Sequence, residues 1–186
     1  MNEKKVLVFN TKVNVNNLAK QILRKEKEII RKYPPSTYFN VESDGDTGLG
    51  VHSLTSRFNQ YNVLDWWGTA PLRKDIISRY KIYYPDYKGK VEVRCWANVL
   101  RQGEEIKPHQ HYPVAEEFLV CGNLVVKAHN TNTYYEGRDI RNINGQIILF
   151  EPTIVHWTDK CQEDVRITIG FDIMPKKRKI VTLTIR

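Results

Sequence analysis

The chain of 186 residues predicts an α+β fold, mainly β, with helices placed ahead of an antiparallel sheet or barrel. Three observations carry this. Apolar residues between 16 and 32 recur at helical spacing, everything beyond Tyr83 reads as strands bounded by turn residues, and the 41% hydrophobic and 27% charged fractions are those of a globular domain. The length suits one domain, 1–186, in which residues 1–83 form a helical and lid region and 84–186 the β core.

Val6 to Val13 is a short first strand. In Asn16–Lys32, Leu18, Ile22, Leu23, Ile29 and Ile30 line one helical face and Lys, Arg and Glu the other; Asn16 or Asn17 caps its start and Pro34-Pro35 ends it. The Gly-, Asn-, Asp- and Ser-rich stretch Ser36–Thr69 has no period, and a loop of that length inside a compact domain reads as a lid. Within it, Asp44-Gly45-Asp46 lacks the downstream ligands of a calcium loop and is a turn, and Gly48-Leu49-Gly50 is a lone GxG in a loop. A second helix covers Pro71 to Tyr80, with Pro71 in its first turn. Strands follow at Val91–Leu100, Phe118–Ala128, Gln146–Phe150, Val165–Ile173 and Ile180–Ile185, with a hairpin between Ala128 and Gly145.

The net charge of +8 invites a nucleic-acid reading, but its location does not support one. Residues 1–35 carry nine Lys/Arg against three Asp/Glu, residues 175–186 carry five basic residues and no acid, and the stretch between them is net negative. The basicity is a solvated helix face and tail. No apolar run approaches the roughly 18 residues of a membrane span. The start MNEKKVLVFN has no signal-peptide core, and Cys95, Cys121 and Cys161 are an odd, widely spaced set. Both features point to free thiols in the cytoplasm. No GxSxG, Walker loop or complete dinucleotide fingerprint occurs.

Two strands alternate. In Val91–Leu100, Val91, Val93, Cys95, Ala97 and Val99 oppose Arg94, Trp96 and Asn98; in Val165–Phe171, Val165, Ile167, Ile169 and Phe171 oppose Arg166 and Thr168. One side of each strand packs on a core. The other faces water or lines a polar space between two sheets that would suit an anion and a metal, and the alternation leaves both open. Three of the five histidines form one pattern, His109-x-His111 and then His156. Side chains at 109 and 111 of an extended segment project to the same side, and a third ligand from a distant strand completes one face of an octahedron. The positions left open suit non-haem Fe(II), though imidazole also suits zinc, copper, nickel and manganese.

The stretches WANVLRQGEEIKPHQH, GQIILFEPTIVHW and VRITIGFDI, in that order, resemble the Fe(II)/2-oxoglutarate-dependent oxygenases with a double-stranded β-helix (jelly-roll, cupin-like) core. The nearest pattern is that of a small bacterial and phage family with a W-x-N strand, a glycine, P-H-x-H, F-x-P-x-x-x-H and R-x-S/T. The resemblance spans residues 91–173 and implies a jelly-roll core with the N-terminal helices packed on one sheet. It implies iron held by His109, His111 and His156, with Arg166 gripping the C5 carboxylate of the cosubstrate 2-oxoglutarate beside the Thr168 hydroxyl. Asn98, eleven residues before His109, matches a cosubstrate contact. A planar guanidinium fork suits a carboxylate. Hydroxylation of a C–H bond is the implied outcome, on a substrate the sequence does not identify. The 128–145 hairpin and the 36–69 loop are the expected lips of the site, with Tyr134, Tyr135, Arg138, Trp66 and Trp157 as candidate substrate contacts.

Most members of that superfamily carry Asp or Glu where this chain has His111, and a third neutral imidazole leaves the centre with one more positive charge. Glu116 or Glu117 could restore the carboxylate from the next strand. That possibility defines the rival reading, a cupin-type metal protein or enzyme using three His and one Glu without 2-oxoglutarate. Gly103, His109, His111, Glu116 and Gly122 approximate its first motif, off by one residue at the final glycine, and Pro152 ahead of Thr153-Ile154-Val155-His156 fits the second less well. A basic nucleic-acid-binding protein without catalysis is the third class.

Overall fold

The computed structural model of the chain describes residues 5–36, 47–111 and 119–176. Its elements are β1 (Val6–Asn10), α1 (Val15–Lys32), α2 (Ala70–Tyr83), β2 (Val91–Arg101), β3 (Val120–Lys127), β4 (Asn132–Tyr135), β5 (Arg138–Arg141), β6 (Gln146–Phe150), β7 (His156–Thr158) and β8 (Val165–Pro175), with short 3-10 turns at Thr55–Arg57 and Val63–Asp65. Over the described residues the fold is mainly β, two antiparallel sheets and two helices. One sheet has five strands in the order β1-β6-β3-β8-β2, the other three in the order β5-β4-β7.

Both helices cover the outer face of the larger sheet. Leu18, Ile22 and Ile29 of α1 and Leu72, Ile76, Tyr80 and Tyr83 of α2 share one core with Cys95, Ala97 and Val99 of β2, Val120, Leu124 and Val126 of β3, and Ile167, Ile169, Phe171 and Ile173 of β8. The apolar faces read from the strand alternation are therefore the helix-facing ones. Helix α1 starts at Val15, one residue before the expected Asn16. Its cap is Asn14, not Asn16 or Asn17, because Asn14 has the non-helical backbone and its Oδ1 accepts the Asn17 N–H at 3.1 Å. Arg31 and Lys32 lie in its last turn, favourable against the helix dipole, and Tyr33 is extended ahead of Pro34.

The opposite face of the larger sheet turns inward, and this resolves what the alternation leaves open. Arg166, Thr168 and Asp172 of β8 and Asn98 of β2 are all buried, so their face does not meet water. It meets the three-stranded sheet. Trp96 lies directly over Gly170, its cross-strand partner, where a Cβ would come within 2.7 Å of the indole. On the helix side Gly122 of β3 faces Phe171, and a Cβ there would fall 2.4 Å from the ring and 2.6 Å from the Ile148 carbonyl oxygen. We expect Gly122→Ala to destabilise the fold by about 1–3 kcal/mol, the usual range for overpacking, read from the urea midpoint. No change would mean that Phe171 swings aside freely.

Several boundaries differ from the sequence reading. β1 stops at Asn10, not Val13, because the chain turns there: the Val13 N–H donates to Thr11 Oγ1 at 3.0 Å. α2 runs from Ala70 to Tyr83. The 128–145 hairpin holds β4 and β5, and β7, only three residues long, is too short to show a period in the sequence. The Asp44-Gly45-Asp46 turn, Phe118, Glu116, Glu117 and the Ile180–Ile185 strand lie outside the described residues, as do the basic residues from Lys177 onward. Among the described residues no helix is long and apolar enough to cross a membrane, and Cys95, Cys121 and Cys161 are free and buried.

Candidate functional site

The segment ending in His111 runs antiparallel beside β7. The His109 N–H donates to the His156 carbonyl at 3.1 Å and the His156 N–H donates back to the His109 carbonyl at 2.9 Å. Residues directly opposite in such a pair put their side chains on the same side, and His111, two further on, shares it. Local pairing thus gathers all three imidazoles. Their ring centroids are 4.2 Å (His109–His156), 5.3 Å (His111–His156) and 5.9 Å (His109–His111) apart. One ligating nitrogen of each lies within 4.8 Å of the others, a spacing that can hold one metal ion.

The Nδ1 atom of each ring faces an acceptor. It lies 2.9 Å from the Lys107 carbonyl in His109, 3.0 Å from the Ile154 carbonyl in His156 and 2.7 Å from Asp172 Oδ1 in His111. Carbonyl and carboxylate oxygens only accept, so each Nδ1 carries the proton and each Nε2 the lone pair, the tautomer a metal ligand needs. Burial, reinforced by the neighbouring His111, lowers the His109 imidazole to about 4. Burial drives His156 well below the usual histidine value, with His109 and His111 adding to it. Both rings are neutral at neutral pH, as coordination requires.

Further along the inner face lies Arg166, 1% exposed. Its Nη2 donates to Thr133 Oγ1 at 3.0 Å, while Nε and Nη1 are buried without a hydrogen-bond partner among the described residues. Burial lowers this guanidinium to about 10, so it keeps its charge. Thr133 and Tyr135 share the inward face of β4, and β4 pairs with β7 so that Thr133 stands opposite Thr158 and Tyr135 opposite His156. The arginine is thereby anchored about one pleat, roughly 7 Å of strand, from the imidazoles. Tyr135 is buried, stacked 6.0 Å from His156, and its hydroxyl accepts from Asn123 Nδ2 at 3.0 Å.

Asn98 and Thr168, cross-strand partners, are joined by a 3.3 Å bond from Asn98 Nδ2 to Thr168 Oγ1, and Thr55 donates to Asn98 Oδ1 at 2.7 Å. The hydroxyl on the guanidinium is thus that of Thr133, and Thr168 lies one pleat away along β8. Thr55 and Phe58 come from the 36–69 loop. Phe58 meets Trp96 edge-on at 5.7 Å, and Trp96 lies 6.0 Å from the His111 ring, so this part of the loop walls the site.

The remaining candidates are not brought to the imidazoles. Tyr134 and Trp157 sit between the inward residues of β4 and β7 and stack on each other at 5.4 Å, with the Tyr134 hydroxyl donating to Asp159 at 2.6 Å. The period of two turns them to the other face of the small sheet. Arg138 is exposed and donates to the Val6 carbonyl at 2.9 Å, tying β5 to β1. Trp66 stacks on Tyr61 at 6.1 Å and packs against the helix-side core.

Sequence reasoning passed over three residues. Thr133 and Asp172 meet Arg166 and His111 only because the two sheets face each other. Cys121 lies 3.0 Å from His111 Nδ1 and belongs with His111 and Asp172 to a second group of closely spaced ligating atoms. Burial, and then the Asp172 charge, pushes the Cys121 thiol well up, so it stays protonated and is a poor metal ligand. For Asp172 a signal existed, since it continues the Arg166, Thr168 alternation along β8.

No protein-family model matches the sequence, and no curated protein matches it by sequence. Solved structures match the fold along nearly its whole length. The prolyl-4-hydroxylase of Pseudomonas putida superposes with a TM-score of 0.61 at 10% identity over 94% of each chain. The viral collagen prolyl hydroxylase of Paramecium bursaria Chlorella virus-1, solved as its 2-oxoglutarate complex, gives 0.59 at 11% identity over 93% of this chain and 97% of that one. A Trichoplax adhaerens prolyl hydroxylase, in complex with a peptide fragment of the hypoxia inducible factor oxygen degradation domain, gives 0.60 at 14% identity over 94% and 85%. The chain shares the fold of these proteins.

Proposed function

We propose that this chain is an Fe(II)- and 2-oxoglutarate-dependent dioxygenase that hydroxylates a C–H bond. It is read as a single domain, 1–186, whose two sheets are the halves of a double-stranded β-helix (jelly roll). The observation that carries this is Arg166: a charged guanidinium, wholly buried, with Nε and Nη1 unpartnered among the described residues, in the same interior as three clustered imidazoles. A buried charge left unanswered is costly, and a carboxylate is the group its fork accepts. The 2-oxoglutarate complex of a protein with this fold supports the choice of dicarboxylate.

Those residues fit both groups. His109, His111 and His156 would hold the metal through their Nε2 atoms. Arg166, steadied by Thr133, would receive the far carboxylate of the cosubstrate, and Asn98 and Thr168 would border it. Bound iron supplies the oxygen chemistry, the oxidative decarboxylation of 2-oxoglutarate to succinate and carbon dioxide with transfer of one oxygen atom to substrate. The protein binds and orients. The Lys107 and Ile154 carbonyls and the Asp172 carboxylate fix the imidazole tautomers, the guanidinium fixes the cosubstrate's direction, and Trp96, Phe58, Phe150 and Tyr135 wall the interior. Free thiols suit the reducing cytoplasm, where iron stays ferrous. Prolyl hydroxylases recur among the similar folds, so proline-containing peptides are the first substrates to screen.

The test is succinate formation from 2-oxoglutarate under air with added Fe(II). Turnover that needs iron, oxygen and 2-oxoglutarate together is the expected result. A protein that binds metal at the three histidines but neither binds nor consumes 2-oxoglutarate would be the cupin-type protein instead.

A further inference from the structure

His111 stands where a carboxylate ligand is usual in this fold's iron enzymes, so the missing negative charge has to be sought elsewhere. It lies directly behind the ring. Asp172, 2% exposed on the inward face of β8, accepts the His111 Nδ1–H at 2.7 Å. The two other imidazoles donate to neutral main-chain carbonyls, so His111 alone among the three is backed by a full charge. A carboxylate this deep needs a positive partner, and the basic group beside it among the described residues is the His111 ring, neutral until its Nε2 holds a cation. The His111 ring is further held edge-on to Phe150 at 6.3 Å, with Trp96 at 6.0 Å.

We propose that Asp172 is a positioning residue that supplies the metal centre, through His111, with the negative charge that a carboxylate ligand would otherwise bring. This rests on the metal reading above. A cation at His111 Nε2 polarises the ring, strengthens the Nδ1–H bond and answers the buried carboxylate. In turn the carboxylate raises the basicity of Nε2 and locks its tautomer. The three-histidine set is then electrically equivalent to two histidines and a carboxylate, with the anion moved one ring outward.

The test is Co(II) titration of the purified protein, followed by visible absorption without 2-oxoglutarate, in a double-mutant cycle. Asp172→Asn keeps the shape and should weaken Co(II) binding about 10–100-fold, the usual effect of losing such an outer partner. In a His111→Asp background, where the ligand is itself a carboxylate, Asp172→Asn should leave affinity unchanged or raise it, because two adjacent carboxylates repel. An equal loss in both backgrounds, or no loss in the wild-type background, overturns the proposal. Should Asp172→Asn not fold, ring nitrogen-15 shifts of His111 in the metal-free wild type decide: the Nδ1–H tautomer supports the role and the Nε2–H tautomer overturns it. Co(II) binding unaffected by both His109→Ala and His156→Ala sinks the metal site itself, a result distinct from failure at Asp172.

Discussion

Arg166→Met should weaken 2-oxoglutarate binding at least about 30-fold while leaving the ligand-free protein as stable as wild type, or more so. The two halves of this expectation have one cause. In the ligand-free protein the guanidinium is wholly buried with, among the described residues, two of its three nitrogens unanswered and a single bond to Thr133, and its lowered proton affinity reflects the desolvation. Replacing a poorly compensated buried charge with an apolar chain of similar length is often neutral or stabilising. In the complex the same guanidinium faces a carboxylate, and truncating one partner of a buried charge pair costs about 2–5 kcal/mol, roughly 30- to several-thousand-fold in affinity. Arg166→Lys keeps the charge but not the fork and should fall between. Calorimetry of 2-oxoglutarate with the Mn(II)-loaded protein, beside urea midpoints without ligand, reads both quantities. Strong destabilisation with undiminished 2-oxoglutarate affinity would make Arg166 a structural strut, and the proposed activity would lose its main support.

His156 separates ligation from packing. Its ring is buried between His109, Phe150 and Tyr135, with centroids at 4.2, 4.6 and 6.0 Å. His156→Ala should cost about 2–4 kcal/mol of stability through the cavity left behind, and metal binding should fall by more than about 100-fold, because a direct ligand outweighs an outer partner. His156→Phe refills the space with an apolar ring. It should recover most of the stability and none of the metal affinity or turnover. If His156→Phe still bound Co(II) as the wild type does, the ion would be held by some other set.

Much of this molecule is legible from residue spacing because the forces involved are local. Leu18, Ile22 and Ile29 recur at helical period, and those three residues pack on the sheet. His109 and His111 are two apart in an extended segment, which is enough to put both rings on one side. Val165, Ile167, Ile169 and Phe171 alternate with polar residues, which is enough to define two faces of β8.

What the polar face of β8 looks at was decided only by tertiary structure. Water and a polar interior would leave the same alternation in the sequence, and the choice falls to a second sheet formed by residues 132–158. Partners across the interior follow from pairing between distant strands, Asn98 with Thr168 and Tyr135 with His156, and local propensity says nothing about such register. A shift of one residue in β4 would turn Thr133 outward and take its hydroxyl off Arg166. Thr133 and Asp172, which contact the two groups the chemistry needs most, are ordinary residues until one sheet is laid over the other. Residue type and spacing name the side chains that could bind a metal and an anion; the meeting of the two sheets buries them together.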